Sequence, residues 1–130
     1  MAETLAAMML RLAGYDAAAC KALDAAPDMA DTVIGFHAQQ VCEKCLKAVL
    51  ASTGVEFTRT HDLLRLMELL AAQGIDLPAS ANWIDALVPY AVQARNGMVA
   101  AGALDRPRAL AAIDVLLNWA HEHVRSAGLA

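Results

Sequence analysis

The sequence predicts an all-α fold, an up-and-down bundle of four main helices with a short or kinked fifth. Three observations carry this. The chain is 58% hydrophobic but only 5% aromatic, and of its 130 residues 30 are alanine and 18 leucine, residues that lose little on entering a helix. Seven glycines and four prolines leave little punctuation for the many turns of an all-β fold. Apolar positions also recur at helical spacing, with no persuasive alternating run. Residues 1–130 are the length of a single domain. Internal repeats, charge blocks and low-complexity tracts are absent apart from the alanine richness.

Five segments follow in order. The first runs from about Glu3 to Ala25 and stops before Pro27, which disfavours helix at the residue preceding it. The second runs from about Met29 to Ser52, with Gly54 as its C-cap. Thr60 is the expected N-cap of the third, which continues to Gln73 and Gly74, and Asp62 suits the positive end of its dipole. Ser80 opens a fourth helix to about Ala94, kinked or divided by Pro89. A small-residue loop, Asn96 to Leu104, then leads to a last helix opened by Asp105 and Pro107 and closed between Ser126 and Gly128.

The formal charge of −4 excludes a global basic field for nucleic acid, so any such binding must rest on a local cluster. The longest stretch without a formal charge, Thr32 to Cys42, is far short of the about 20 apolar residues of a membrane span. Glu3 before the first apolar run and Arg11 within it reverse the order of a signal peptide. Together with three cysteines, an odd number, this points to a cytoplasmic protein with reduced thiols. The mean hydropathy of +0.41 points to a partner helix or a second copy as cover for surplus apolar surface.

The densest polar sequence is Phe36 to Ala48. Projected at about 100° per residue, Ile34, Ala38, Val41, Cys42, Cys45, Leu46 and Val49 share an apolar arc. His37, Gln40, Lys44 and Lys47 form a stripe opposite, flanked by Gln39 and Glu43. Two ammonium groups and an amide could hold a phosphate there; equally, the stripe reads as a solvated face with Glu43 and Lys47 as an i,i+4 pair.

Other chemistry is excluded by context. Cys42 and Cys45 have CxxC spacing, but no second cysteine pair completes a zinc site, and both project onto the apolar arc, where a free thiol acts as a small hydrophobe. Cys20 reads the same way. His121 and His123 are separated by two on a helix and do not face each other. With no Glu-x-x-His and only five glutamates, a di-iron site is also excluded. No metal set, Gly-rich cofactor loop or nucleophile elbow is present. His61 with Asp62, at a helix start, reads as a cap or as a base.

The order Phe36-His37-Ala38-Gln39-Gln40, Glu43-Lys44, Leu46-Lys47-Ala48 and Thr60-His61-Asp62-Leu63 resembles the HEPN domain (higher eukaryotes and prokaryotes nucleotide-binding). Ala94-Arg95 and a last helix containing Trp119 fit the same order, so the resemblance spans about Glu3 to Arg125. It implies a helical bundle that is often a homodimer, frequently paired with a minimal nucleotidyltransferase in toxin–antitoxin systems. Many members are metal-independent ribonucleases in which an Arg and a His about four to six residues later act at a dimer cleft, the His moving a proton and the Arg steadying the phosphate. Arg95-Asn96 matches the opening of that motif, but Gly97 to Gly102 contains no histidine and the next is His121. The Arg-Tyr-Pro-Asp run of a related subgroup is matched only at Arg95.

The reading is therefore a nucleotide- or RNA-interacting module acting with a nucleotidyltransferase partner. Arg95 is its phosphate contact, and Lys44, Lys47, His37 and Gln40 form a second cluster. The alternative is a ribonuclease toxin in which His37, His61 or His121 serves Arg95; Arg95, Asn96 and His61 are its catalytic candidates. Assembly alone is a third possibility.

Overall fold

A computed structural model describes residues 2–57, 59–91 and 104–129. Among these the chain is all-helical, with no strand. The helices are α1 (Leu5–Asp24), α2 (Asp31–Ser52), α3 (Leu63–Ala72), a 3₁₀ helix (Ala79–Tyr90) and α4 (Arg106–Leu129). The last part of the expected fourth helix, the loop after it, and both Arg95 and Asn96 lie outside the described residues.

Helix starts follow local chemistry. The Thr4 hydroxyl accepts from the Ala7 N–H at 3.1 Å and caps α1. Asp62, not Thr60, caps α3: its carboxylate accepts from the Leu64 N–H at 3.0 Å, while the Thr60 hydroxyl accepts from Asp62 N–H one turn outside. An ionised carboxylate at this position satisfies an orphan N–H and meets the positive end of the dipole, so Thr60 is displaced to a supporting role. At the far ends of α2 and α3, Gly54 and Gly74 take positive φ, 75° and 71°. Val55 N–H returns to Leu50 C=O and Ile75 N–H to Leu70 C=O, each at 3.1 Å, the six-to-one closure that glycine makes possible.

The expected fourth α-helix is instead a 3₁₀ helix from Ala79, preceded by Pro78. Its buried residues are Ala81, Ile84, Leu87 and Tyr90. That spacing of three places one stripe on the core at three residues per turn, whereas on an α-helix it would drift around the surface. Pro89 lies in the last turn of the 3₁₀ helix.

The core joins α1, α2 and α4, with α3 and the 3₁₀ helix closing one side. α1 contributes Leu10, Ala13, Ala17 and Cys20; α4 contributes Ala109, Ile113, Leu116 and Ala120. The whole apolar arc assigned to α2, cysteines included, is buried. Alanines at the α1 and α4 seams let the helices approach closely. Arg106 ties the start of α4 to the α1–α2 turn: its guanidinium donates to the Met29 carbonyl and, through Nε at 2.6 Å, to Asp31, with Asp24 at 3.9 Å. α4 thus starts beside the start of α2, and both run opposite to α1, as an up-and-down order requires.

Gly35 marks the closest approach. A Cβ there would fall 2.2–2.6 Å from three carbons of the Tyr90 ring. Glycine on α2 is the recess that accepts this ring. No helix among the described residues is long and apolar enough to cross a membrane.

Candidate functional site

The polar side of α2 is not a free solvated face. Glu43 is only 4% exposed in its side chain and Lys47 only 10%, and Gln39 is fully buried. The expected Glu43–Lys47 pair forms, at 3.1 Å. Around it α1 and the residues before α3 fold over the stripe and supply further partners.

Two carboxylates organise this layer. On the α1 side, Asp16 receives Lys44 on one oxygen and His37 Nδ1 on the other, the latter at 2.9 Å. On the α3 side, Glu43 receives Lys47 Nζ at 3.1 Å, Gln39 Nε2 at 3.3 Å and His61 Nδ1 at 3.1 Å from both oxygens. Gln39 also donates to the His61 carbonyl at 3.4 Å and accepts from Gln40 Nε2 at 2.7 Å. Each carboxylate therefore lies between one lysine and one histidine. Burial makes these pairs conditional on each other, since a buried charge without its partner is costly.

The sequence-derived phosphate cluster is thus brought together but already partnered. Lys44 and His37 share Asp16, Lys47 is held by Glu43, and Gln40 is held by Gln39. Sequence reasoning missed Asp16. Its signal was position: Ala13, Ala17 and Cys20 are buried, and an acid beside them on the same face must find a cation.

His61 differs from the other histidines. Its side chain is 75% exposed although Nδ1 rests on a carboxylate that is 4% exposed. Glu43 faces Nδ1 with both oxygens, so Nε2 is the ring nitrogen not engaged by that carboxylate. The ring lines an open cleft of about 830 Å³ with Arg59, Thr60, Asp62, Leu64, Asp85, Val88, Pro89 and Ala91. His37 is 29% exposed and edge-on to Phe36. His121 is exposed, and His123 lies against the Trp119 ring at 4.9 Å. Among the described residues no group of three or more His, Cys, Asp or Glu side chains is placed to hold a metal ion.

The cysteines are core residues. Burial pushes the Cys45 thiol up to about 12. It does the same for Cys20, helped by Asp16 and Asp24, and it raises Cys42 well above the usual thiol range. All three are free and buried, the state of packing groups rather than nucleophiles.

A family model for the HEPN domain matches residues 13–123. The chain belongs to the HEPN family. The match takes in the α2 polar layer, the His61 turn and α4 as far as His123, so the elements that build the cleft belong to the HEPN fold. Comparison with curated proteins and with solved structures gives no match.

Proposed function

We propose that this HEPN bundle is a nucleotide- or RNA-interacting module that works as a cytoplasmic homodimer beside a minimal nucleotidyltransferase, in a toxin–antitoxin pair. The observation that carries the ligand half is the open cleft lined by Arg59, Thr60 and His61. Arg95 is the proposed phosphate contact, with Asn96 beside it. Lys44, Lys47, His37 and Gln40 would reach a phosphate only by giving up the carboxylate and amide partners they hold, so they rank second. The missing histidine between Gly97 and Gly102 separates this chain from HEPN ribonucleases that use the Arg–His spacing.

Calorimetry with ATP and with a short RNA, before and after Arg95→Ala, tests the reading. Heat that disappears in the variant is expected; no heat with either ligand removes nucleotide and RNA binding from the proposal. Light scattering should give at least a dimer, and a stable monomer would remove the self-association. A nucleotidyltransferase in the neighbouring reading frame, co-purifying with this chain, is the expected partner.

A further inference from the structure

A second concavity opens at the end of the bundle where α1 starts and where α2 and α4 stop. Its volume is about 690 Å³, inside the range of about 300–1,000 Å³ that small-molecule pockets occupy. It shares no lining residue with the His61 cleft. Leu5 and Ala6 form one wall, Val55 and Phe57 a second, and Val124 and Ala127 a third. Leu5 is 49% exposed there, a large apolar side chain left to water while the cavity is unfilled. The α1 and α4 walls lie outside residues 13–123, so the HEPN match does not account for the cavity.

Its electrostatics are one-sided. The only ionisable side chain in the lining is Glu56, exposed and without an ion pair among the described residues. The Thr4 hydroxyl is occupied by the Ala7 N–H, and the Ser52 hydroxyl donates to the Val49 carbonyl. Two helix C-termini meet here against one N-terminus, and each C-terminal end carries about half a negative charge. Neither α2 nor α4 has a basic residue in its last turn. Arg125, next to Val124, is held by Glu122 at 2.8 Å, and Arg11 is held by Glu3 at 2.9 Å. The cavity thus joins apolar walls to a negative rim, with no cation in its lining. A phosphate would meet like charge there.

We propose that this cavity binds a small amphipathic cation, a single ammonium head on an aliphatic or aromatic body. The body takes Leu5, Val55, Phe57 and Val124 out of water, and each methylene buried is worth about fourfold in affinity. The head stays at the rim beside Glu56, where an exposed charge pair adds at most about fivefold. Such a ligand touches the first turn of α1, the α2–α3 turn and the last turn of α4 at once. It binds only the folded chain and so raises its Tm.

Calorimetry on the full chain at pH 7 with n-octylamine, 1-octanol and octanoate keeps the body constant and varies the head. One site per chain is expected, with a dissociation constant for octylamine below about 1 mM. Octanol should bind about threefold to fivefold more weakly, and octanoate most weakly of the three. Hexylamine, shorter by two methylenes, should lose about 15-fold. Glu56→Gln, on an exposed side chain, should bring octylamine to the level of octanol and leave octanol unchanged. Gly128→Leu adds a side chain where nothing lies within 4 Å of a new Cβ; it should fold normally and abolish binding. Should it fail to fold, Leu5→Ser, also on an exposed side chain, should weaken octylamine and octanol alike.

No saturable binding of octylamine, or octanoate bound as tightly, overturns the proposal. So does binding that neither Gly128→Leu nor Leu5→Ser changes. A dimer that becomes a monomer in Gly128→Leu, read by light scattering, makes the cavity an interface between copies and overturns it too.

Discussion

Removal of the Glu43 carboxylate is the sharpest test of how the polar layer is built. Glu43→Ala withdraws the acceptor shared by Lys47, His61 and Gln39. The Lys47 side chain, 10% exposed, is then a buried ammonium with no counter-charge. Breaking a buried pair from one side costs about 3–5 kcal/mol, whereas replacing both members with apolar groups of similar volume is often near neutral. Lys47→Met alone should cost less than Glu43→Ala, because Glu43 keeps its bonds from His61 and Gln39. The double variant Glu43→Leu/Lys47→Met should return to within about 1 kcal/mol of the parent. The assay is urea denaturation at pH 7 followed by circular dichroism, with Glu43→Leu added so that the parent, Glu43→Leu, Lys47→Met and the double variant form a double-mutant cycle. A single-variant cost below about 1 kcal/mol would place the pair in the class of exposed ion pairs. A cycle additive within about 0.5 kcal/mol would show no coupling. Either result refutes the argument that burial makes these charges depend on each other.

Three other outcomes are expected. Gly35→Ala sets a Cβ 2.2–2.6 Å from Tyr90 ring carbons; overpacking of about 1–3 kcal/mol should outweigh the helix-propensity gain of about 1 kcal/mol. A thermal melt should show a lower Tm, and Tyr90→Leu added to Gly35→Ala should recover part of it. Burial keeps the folded thiols neutral up to about 12 for Cys20 and Cys45, while unfolded thiols ionise above about 8.5. The unfolded state therefore binds fewer protons between these values, so stability is intact below pH 8.5 and falls above it, by up to about 1.4 kcal/mol per pH unit for each thiol. Denaturation from pH 7 to 11 checks the sign, and native thiols should resist iodoacetamide until the chain unfolds. Arg106→Ala releases α4 from Asp31 and Met29 and should cost about 1.5–3 kcal/mol; hydrogen exchange should quicken first at the start of α4.

Much of this was legible without coordinates. The apolar arc of α2 follows from a period of 3.6, and every residue assigned to it is buried. Gly54 as a helix stop follows from the rarity of positive φ in other residues. The cysteines were legible as packing groups because their projection onto the arc is a local property of one helix. The Glu43–Lys47 pair was legible for the same reason. The 3₁₀ helix was harder, since Ala81, Ile84, Leu87 and Tyr90 differ from an α-helical face only in a spacing of three against 3.6. Thr60 and Asp62 both cap well, and only the backbone path decides which side chain reaches an orphan N–H.

The sequence by itself determined an all-helical bundle, a HEPN resemblance and an arginine without its usual histidine, because composition, periodicity and short motifs are properties of neighbouring residues. Only the tertiary structure decided the state of the charges. Asp16 meets His37 across 21 positions and Lys44 across 28, and Glu43 meets His61 across 18. A helical projection sees one helix at a time and assigns every residue off the apolar arc to water. The protein instead covers that face with a second helix and a turn. Coulomb attraction and hydrogen bonding in a dry layer then hold the two lysines with carboxylates and turn one exposed imidazole toward the cleft.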